Sequence, residues 1–381
     1  MKEEEQMSMN AMFWIVLFLG FLLLFGMTAC FYKMLRNIFT MAWGEQKNKG
    51  ITLLLTVVSL GIILLCTMVW NIGLLVLLHF MGFIFVFWLI DLVIKGIAKS
   101  HYEKFAIWRR LQKCYILPLL ATIITISYGY WNMHHVVQTD YTITTQKAIR
   151  EDGYRVALLA DIHFGVSIDI ESMKKVCEKI ENQKPDMIIL CGDMVDENTT
   201  YEEMEQLFQA LGTIKSTYGT FFVYGNHDRQ NYSSYRTFSE QDIAEHLSKN
   251  GITLLQDDKL QITNDLMLVG REDASAGYRT PLADLYHDID KEDFILTLDH
   301  QPLEYKINQE LGTDLLLSGH THAGQFFPVN LIMEVIPFGD AVYGATERES
   351  FSAFVTAGMA GWNFPIKTSA PAEYVIIDIK R

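Results

Sequence analysis

Four apolar segments without charged side chains constrain the fold of this chain more than any other feature of its sequence. Residues 11–32 and 51–90 carry no charge, and residues 114–133 form a further uncharged run. A helix needs about 20 apolar residues to cross a bilayer, so the segment 51–90 is long enough for two crossings with a break at 71–73. Core helices of a soluble protein are the alternative, but those are amphipathic, whereas these segments are apolar on every side. We therefore predict four transmembrane helices, at 11–32, 51–70, 73–94 and 114–132.

The basic residues between these segments predict their orientation. The loop 33–50 holds four Lys and Arg and the loop 95–113 holds six, whereas the N-terminal tail has only Lys2 and the 71–73 turn has none. Loops rich in Lys and Arg stay in the cytoplasm. With an even number of crossings, the N-terminal tail and everything after the fourth helix then lie outside. The sequence predicts a multi-pass protein of the cell membrane whose remaining residues form an extracellular domain.

The balance of charge changes sharply after the last apolar segment. Residues 1–150 have a net charge of +6, while residues 151–381 carry 18 Lys and Arg against 38 Asp and Glu, a net charge of −20. Nucleic-acid binding requires a basic face, so this acidic half argues against it. An acidic domain fits one that holds cations or that simply stays soluble. We predict a membrane region at 1–132, a polar connector at 133–150 and an extramembrane domain at 151–381.

Short β-type runs alternate with helical patterns throughout residues 151–381, which predicts a layered α/β domain. Polar residues follow five of the predicted strands: Asp161-Ile162-His163, Gly192-Asp193-Met194-Val195-Asp196, Gly225-Asn226-His227-Asp228, Asp299-His300, and Gly319-His320-Thr321-His322. Ligands of open α/β sheets bind beyond the carboxyl ends of the strands. We therefore expect these five motifs to meet at one edge of the domain.

The residue types in these motifs are those of a metal centre. Carboxylate and imidazole ligands suit divalent Mn, Fe or Zn. A pair of ions about 3.5–4 Å apart needs a shared anionic ligand, which an aspartate at a strand end can provide. The first two motifs alone are weak signals, and the first is more typical of an ordinary loop, whereas GNHD is moderately specific and GHTH after an apolar strand is fairly specific. All five in one domain, each at the end of a strand, favour the metal centre.

The order D-x-H, GDxxD, GNHD, H, GHTH resembles the calcineurin-like metallophosphoesterase superfamily. Residues 319–325 and the tail 357–373 resemble its bacterial subgroup of YkuE-type phosphohydrolases and UDP-2,3-diacylglucosamine pyrophosphatases. The resemblance covers roughly residues 135–381 and does not extend to the apolar segments. Two positions depart from that subgroup, which usually has Arg where Lys367 stands and Gly where Ala323 stands. A lysine keeps the positive charge but loses the two-point grip of a guanidinium on phosphate.

The resemblance implies a fold, a set of metal ligands and a catalytic residue. The fold is a two-sheet αββα sandwich, here preceded by four transmembrane helices. His227 would contact the substrate phosphate and stabilise charge or protonate the leaving oxygen. Asp193 would bridge two divalent ions. The first ion would be bound by Asp161, His163, Asp193 and His322, and the second by Asp193, Asn226, His300 and His320.

These expectations describe a membrane-anchored, metal-dependent phosphoesterase. It would cleave phosphate esters or diphosphates by attack of a hydroxide that bridges the two ions, with manganese, iron or zinc as the metal. Its partners would be the bilayer and a phosphorylated small-molecule or lipid-linked substrate, for instance from the cell envelope, with no nucleic acid. The alternative is a membrane sensor or scaffold with an inactive phosphoesterase-like domain, and the complete set of ligands argues against it.

Overall fold

The computed structural model describes residues 2–45, 47–336 and 339–381. The chain divides into two compact units, Met1–Ser127 and Tyr128–Arg381. The first unit is helical, and the second contains both sheets of the protein's described part.

Long apolar helices make up the first unit. They are α1 (Lys2–Trp43), α2 (Lys49–Met68), α3 (Trp70–Ala98) and α5 (Ile116–Met133), with a 3₁₀ helix (Lys99–Lys104) and the short helix α4 (Ala106–Lys113) before α5. Four segments of the described residues are long and apolar enough to cross a membrane: Gly20–Trp43, Lys49–Met68, Ile72–Lys104 and Ile116–Met133. The expectation of four candidate spans is confirmed, although the first candidate runs further along the chain than 11–32. The break between the second and third falls at Val69, which leaves the helical conformation two residues earlier than predicted.

Twelve strands, six α-helices and a 3₁₀ helix (His322–Gly324) form the described part of the second unit beyond α5. The strands are β1 (Val137–Thr144), β2 (Tyr154–Leu159), β3 (Met187–Cys191), β4 (Thr220–Val223), β5 (Ile252–Leu254), β6 (Asp258–Thr263), β7 (Leu266–Gly270), β8 (Phe294–Leu298), β9 (Leu315–Ser318), β10 (Gly344–Arg348), β11 (Phe351–Val355) and β12 (Glu373–Lys380). The helices are α6 (Ile170–Asn182), α7 (Tyr201–Leu211), α8 (Glu240–Lys249), α9 (Leu282–Leu285), α10 (Tyr305–Leu311) and α11 (Val329–Val335).

The strands form two mixed six-stranded sheets, with the orders β1-β12-β2-β3-β4-β5 and β10-β11-β9-β8-β7-β6. Strands β2 to β5 are parallel to one another, and so are β7, β8, β9 and β11. The carboxyl ends of these parallel strands therefore share an edge within each sheet. The polar connector predicted at 133–150 contributes β1, which pairs with β12 at the edge of the first sheet.

Apolar side chains from both sheets meet in a central core that includes Val156, Leu158, Leu268 and Leu296. A second cluster packs α6, α7 and α8 against the outer face of the first sheet, and a third packs α9 against the second sheet. The predicted αββα sandwich is confirmed, and central strands such as β3 and β8 are buried on both faces because helices cover the outside. The amphipathic spacing of α6, with Met173, Val176, Cys177 and Ile180 buried, explains why that helix was recognisable in the sequence.

Candidate metal centre

Five strand ends carry the polar residues that the sequence singled out. Asp161 and His163 follow β2, Asp193 follows β3, Asn226 and His227 follow β4, His300 follows β8, and His320 and His322 follow β9. The first three strands belong to one sheet and the last two belong to the other. Residues that are up to 161 positions apart in the chain are thereby brought to one edge of the sandwich.

The acidic and imidazole side chains form two groups, each able to hold a metal ion. One group is Asp161, His163 and His322, and the other is Asp193, His300 and His320; within each, the candidate ligand atoms lie within 4.8 Å of one another. Asp193 Oδ2 is 3.0 Å from His300 Nε2 and 3.9 Å from His163 Nε2, which puts this carboxylate between the groups. The Asn226 side-chain oxygen is 2.8 Å from His320 Nδ1. All seven predicted ligands therefore converge.

The backbone at these positions is held in an uncommon conformation. Five of the seven residues have a positive φ between 42° and 71°: Asp161, His163, Asp193, His320 and His322. Residues other than glycine rarely adopt this left-handed region, although aspartate and histidine tolerate it better than most. Such strain persists only where the surrounding structure enforces it, and it clusters at functional sites. The backbone thus points to the same residues as the side-chain chemistry, and it does so independently.

Two glycines allow the strand ends to approach one another. Gly192 has a φ of +80°, and a Cβ atom there would collide with the His300 ring. A Cβ atom at Gly225 would collide with the Asp193 carboxylate. Close packing around the site therefore requires glycine at both positions, and at Gly192 the left-handed backbone requires it as well.

The imidazoles are oriented by backbone carbonyls. His300 Nδ1 lies 2.8 Å from the Cys191 carbonyl oxygen, and His322 Nδ1 lies 3.2 Å from that of Ala360. These carbonyls can only accept, so each ring donates from Nδ1 and directs its Nε2 atom towards the site. The Nε2 atoms of His163 and His322 are 3.3 Å apart. Inward-facing nitrogens beside carboxylates form a donor set that fits a divalent cation.

Burial and neighbouring charges together set the protonation of the His300, His320 and His322 rings. Burial lowers the pKa of His320 to about 4, with the charge of His300 acting in the same direction. Burial and the neighbouring His163 bring the pKa of His322 well below its usual value. Burial also opposes charge on His300, but Asp193 and Asp161 outweigh it and raise that pKa. His320 and His322 are therefore neutral near pH 7, which is the form of histidine that binds metals.

His227 lies beside the two groups and belongs to neither. Its Nδ1 is 2.8 Å from Glu197 Oε2, and its ring stands 5.1 Å from Tyr232 and 5.0 Å from Trp362, measured between centroids. Burial favours the neutral ring, but the hydrogen bond to Glu197 and the charge of Asp193 raise the pKa of His227. Glu197 and Asp193 therefore both favour the positively charged, doubly protonated form of the His227 imidazole.

A cleft of about 270 Å³ opens over these residues. Its lining consists of Asp193, Asn226, His227, Tyr232, His320, His322 and Trp362, so it combines groups of both metal clusters with two aromatic walls. Sequence reasoning missed Glu197, Tyr232 and Trp362. Glu197 directly follows the second motif, and Trp362 lies in the tail segment that carried the family resemblance, so their positions were marked although their contacts were not.

Asp228 was quoted as the last residue of a motif, but its role was not foreseen. Its carboxylate is fully buried and accepts four backbone N–H groups: Asp193 at 2.9 Å, Met194 at 2.8 Å, Val195 at 3.2 Å and Gly225 at 2.7 Å. It thereby joins the loop after β3 to the loop after β4. Asp228 fixes the position of the predicted bridging ligand without facing the cleft.

Lys367 stands where the resembling subgroup usually has Arg, and it does not line the cleft. Its side chain is fully buried, and its Nζ donates to the carbonyl oxygens of Ala357, Gly358 and Ala360. Burial lowers the pKa of Lys367 to about 8, against the charges of Asp161 and Glu373. With three acceptors within its reach, the ammonium group ties the 357–360 backbone behind the first metal group. Lys367 therefore supports the 357–360 backbone and does not bind a phosphate in the cleft.

The comparisons with known proteins agree with this geometry. The family model of the calcineurin-like phosphoesterases matches residues 154–324. A Danio rerio transmembrane protein with metallophosphoesterase domain is 27% identical over 78% of this chain and 70% of its own length. An uncharacterized metallophosphoesterase of Campylobacter jejuni is 28% identical over 70% of both chains. The uncharacterized metallophosphoesterase YkuE of Bacillus subtilis is 26% identical over 66% of this chain and 88% of its own.

The similarity to the calcineurin-like phosphoesterase family thus covers residues 154–324, somewhat less than half of the chain. The matched region contains all five strand-end motifs, and the relatives include a YkuE protein and a transmembrane protein, as the sequence led us to expect.

Proposed function

We propose that this protein is a multi-pass membrane phosphohydrolase that uses two divalent metal ions to cleave phosphate esters or diphosphates. The observation that carries the proposal is the convergence of seven ligand side chains, six of them buried, at the cleft that His227 lines. An inactive scaffold would have no need to keep neutral imidazoles, carboxylates and strained backbone together at this edge. Such strain costs on the order of 1–3 kcal/mol at each residue.

The first ion would be bound by Asp161, His163, Asp193 and His322, and the second by Asp193, Asn226, His300 and His320. Supporting this division, Asp193 lies between the two groups and faces an imidazole of each. When bound, two such ions supply Lewis acidity and lower the pKa of water enough to provide a hydroxide nucleophile near neutral pH. The donor set suits manganese, iron or zinc.

His227 would act on the substrate and not as a ligand. Its backbone N–H donates to Asp193 Oδ1 at 2.8 Å, which fixes the residue beside the bridging carboxylate. The Glu197 carboxylate accepts a hydrogen bond from the Nδ1–H of His227. Nε2 is therefore the nitrogen that would face a substrate. A protonated His227 can stabilise charge on a phosphoryl oxygen or donate its Nε2 proton to the leaving oxygen.

The substrate class follows from the surroundings of the cleft and from the membrane segments. Tyr232 and Trp362 give the cleft aromatic walls, and four candidate spans anchor the chain in a bilayer. We propose a lipid-linked or cell-envelope substrate, with the resemblance of residues 319–325 to the UDP-2,3-diacylglucosamine pyrophosphatases as support for a diphosphate. The basic loops 33–50 and 95–113 support an extracellular catalytic unit.

The test is metal analysis and a substrate screen on the full chain in detergent. Purified protein supplied with Mn²⁺ should contain two ions per chain and should hydrolyse members of a panel of phosphomonoesters, phosphodiesters and nucleotide-diphospho-lipids. Asp161→Asn should lose one ion and most turnover. Asp169→Asn is the matched control, because Asp169 caps α6 away from the cleft and asparagine caps a helix equally well. A chain with no more than one ion and full activity would refute the binuclear assignment.

A further inference from the structure

Helix α11 exposes the face that a surface helix normally buries. Leu331, Ile332 and Val335 are 49%, 49% and 80% exposed, and Ile336, just after the helix, is 58% exposed. At 100° per residue Leu331, Ile332 and Val335 lie on one side of the helix, and Ile336 adds to the exposed apolar surface just beyond its end. Met333 points the other way and is partly buried. Four large aliphatic side chains in one exposed patch exceed the scattered apolar residues of an ordinary protein surface and mark an interaction site.

This apolar face starts next to the point where the fourth candidate span ends. The last residues of α5, Tyr128–Met133, belong to the second unit. The Gly129 carbonyl accepts from the Lys367 N–H at 3.0 Å, and a Cβ atom on Gly129 would touch the Thr368 methyl group. The Thr368 hydroxyl accepts from the Phe327 N–H at 3.0 Å, two residues before α11 begins. One residue, Thr368, thus connects the end of α5 to the start of α11.

The same end of α5 has the side chains of a membrane interface. Tyr128, Tyr130 and Trp131 are each between 50% and 55% exposed. Tyrosine and tryptophan concentrate at the level of the lipid headgroups, where their rings are partly in hydrocarbon and partly in water. Asn132, in contrast, is buried and donates to the carbonyls of Lys367 and Ala370 at 2.8 Å each. The helix therefore passes from a lipid-type surface to a protein-packed surface within one turn.

We propose that the apolar face formed by Leu331, Ile332, Val335 and Ile336 inserts into the headgroup region of the membrane from which α5 emerges. Interfacial helices of this kind bury their apolar side about 5–10 Å into the boundary between headgroups and acyl chains. Helix α11 is about 10 Å long, given seven residues at 1.5 Å each. Its start is two contacts away from Gly129, so it lies within reach of the same interface.

The position of α11 has a consequence for how a substrate would enter the cleft. This consequence rests on the proposed function. Gln325 lies just before α11, and its side-chain amide donates to the carbonyls of Phe364 and Ile366. Its oxygen accepts from the N–H of Trp362, the residue that lines the cleft. A membrane contact at α11 would therefore hold the aromatic wall of the cleft close to the lipid surface. A phosphate group carried on a lipid could enter the cleft while its acyl chains stay in the bilayer.

Site-directed photo-cross-linking in the full chain tests the membrane contact. A benzophenone amino acid replaces Val335 in protein reconstituted into phosphatidylethanolamine–phosphatidylglycerol vesicles. Tyr278 is the matched control position, because it is 77% exposed and lies outside α11. After irradiation, mass spectrometry should detect phospholipid adducts at position 335 at least fivefold more often than at position 278. A second variant with the probe at Ile332 repeats the measurement should the first disturb the helix.

Equal adduct yields at the two positions would overturn the proposal. So would cross-linking of position 335 to a second copy of the chain, because the apolar face would then be a dimer contact. The measurement needs no turnover and no metal, so its failure is distinct from failure of the proposed hydrolase. If lipid adducts form in a protein that hydrolyses none of the screened phosphates, the membrane contact stands and the function is refuted.

Discussion

Replacing Asp228 with asparagine should separate the scaffold of the metal centre from its ligands. One carboxylate oxygen accepts from the N–H groups of Asp193 and Gly225, and the other accepts from those of Met194 and Val195. An asparagine has one acceptor oxygen, and its amide group can only donate. Whichever way the amide turns, two backbone N–H groups then face a donor and lose their partner.

The magnitude follows from those two lost hydrogen bonds. A hydrogen bond to a charged group contributes about 1.5–3 kcal/mol, so losing two costs roughly 3–6 kcal/mol. The whole free energy of unfolding of a domain is only about 5–15 kcal/mol. Each kcal/mol shifts the melting temperature of a unit of about 250 residues by roughly 2–4 °C. We expect Asp228→Asn to lower the Tm by about 6 °C or more and to lose bound metal.

Differential scanning fluorimetry of the full chain in detergent, together with elemental analysis, measures both effects. Asp169→Asn is again the control: it makes the same chemical change at an exposed helix cap, where the expected cost is below about 0.5 kcal/mol. If Asp228→Asn melts within 2 °C of the control (~0.5–1 kcal/mol) and keeps two ions, then the four backbone contacts are not what holds the two loops together.

Three further predictions concern catalysis and topology. His227→Ala should reduce turnover with metal content unchanged, whereas Asp193→Asn should lose both; loss of a metal from the His227 variant, read by elemental analysis, would make that residue a ligand. Glu197→Gln should lower kcat on the order of five- to tenfold at constant metal content, because a neutral acceptor stabilises the His227 imidazolium by about 1 kcal/mol less. If the catalytic unit is extracellular, alkaline phosphatase fused after Arg381 should be active and a fluorescent protein fused there should be dark. Inactive phosphatase with a bright fluorescent protein would put the catalytic unit in the cytoplasm.

The strands and the strand-end ligands could be predicted because both depend on local sequence. A run such as Phe294–Leu298 is apolar, short and followed at once by Asp299 and His300, and the structure has the strand over the same residues. The order of strands in an α/β domain then brings such ends together. The five strand-end motifs were therefore accessible from residue type and spacing, whereas the choice of seven ligands among their residues came from the family resemblance.

Helix α11 could not be predicted, because its sequence does not differ from that of a buried element. The residues from Val329 to Ile336 are mostly apolar, and a run of that length and composition is compatible with a core strand or a core helix. Burial of such a run is the default expectation. The chain just before the helix is held by a hydrogen bond from the Phe327 N–H to Thr368, which lies about 40 residues further along the chain.

Lys367 shows why a motif position alone does not define a role. In the resemblance this position is basic, and a basic residue near a phosphate-binding cleft is naturally interpreted as a phosphate ligand. The direction of the Lys367 side chain decides its role, and this direction depends on how the backbone of residues 366–370 packs against α5. The Lys367 N–H donates to the Gly129 carbonyl, and the Lys367 carbonyl accepts from the Asn132 side-chain amide. With the backbone fixed from that side, Nζ reaches the 357–360 carbonyls behind Asp161 and His322. Lys367 therefore supports the metal centre by holding the 357–360 backbone behind Asp161 and His322. That role depends on a packing contact with the last turn of α5.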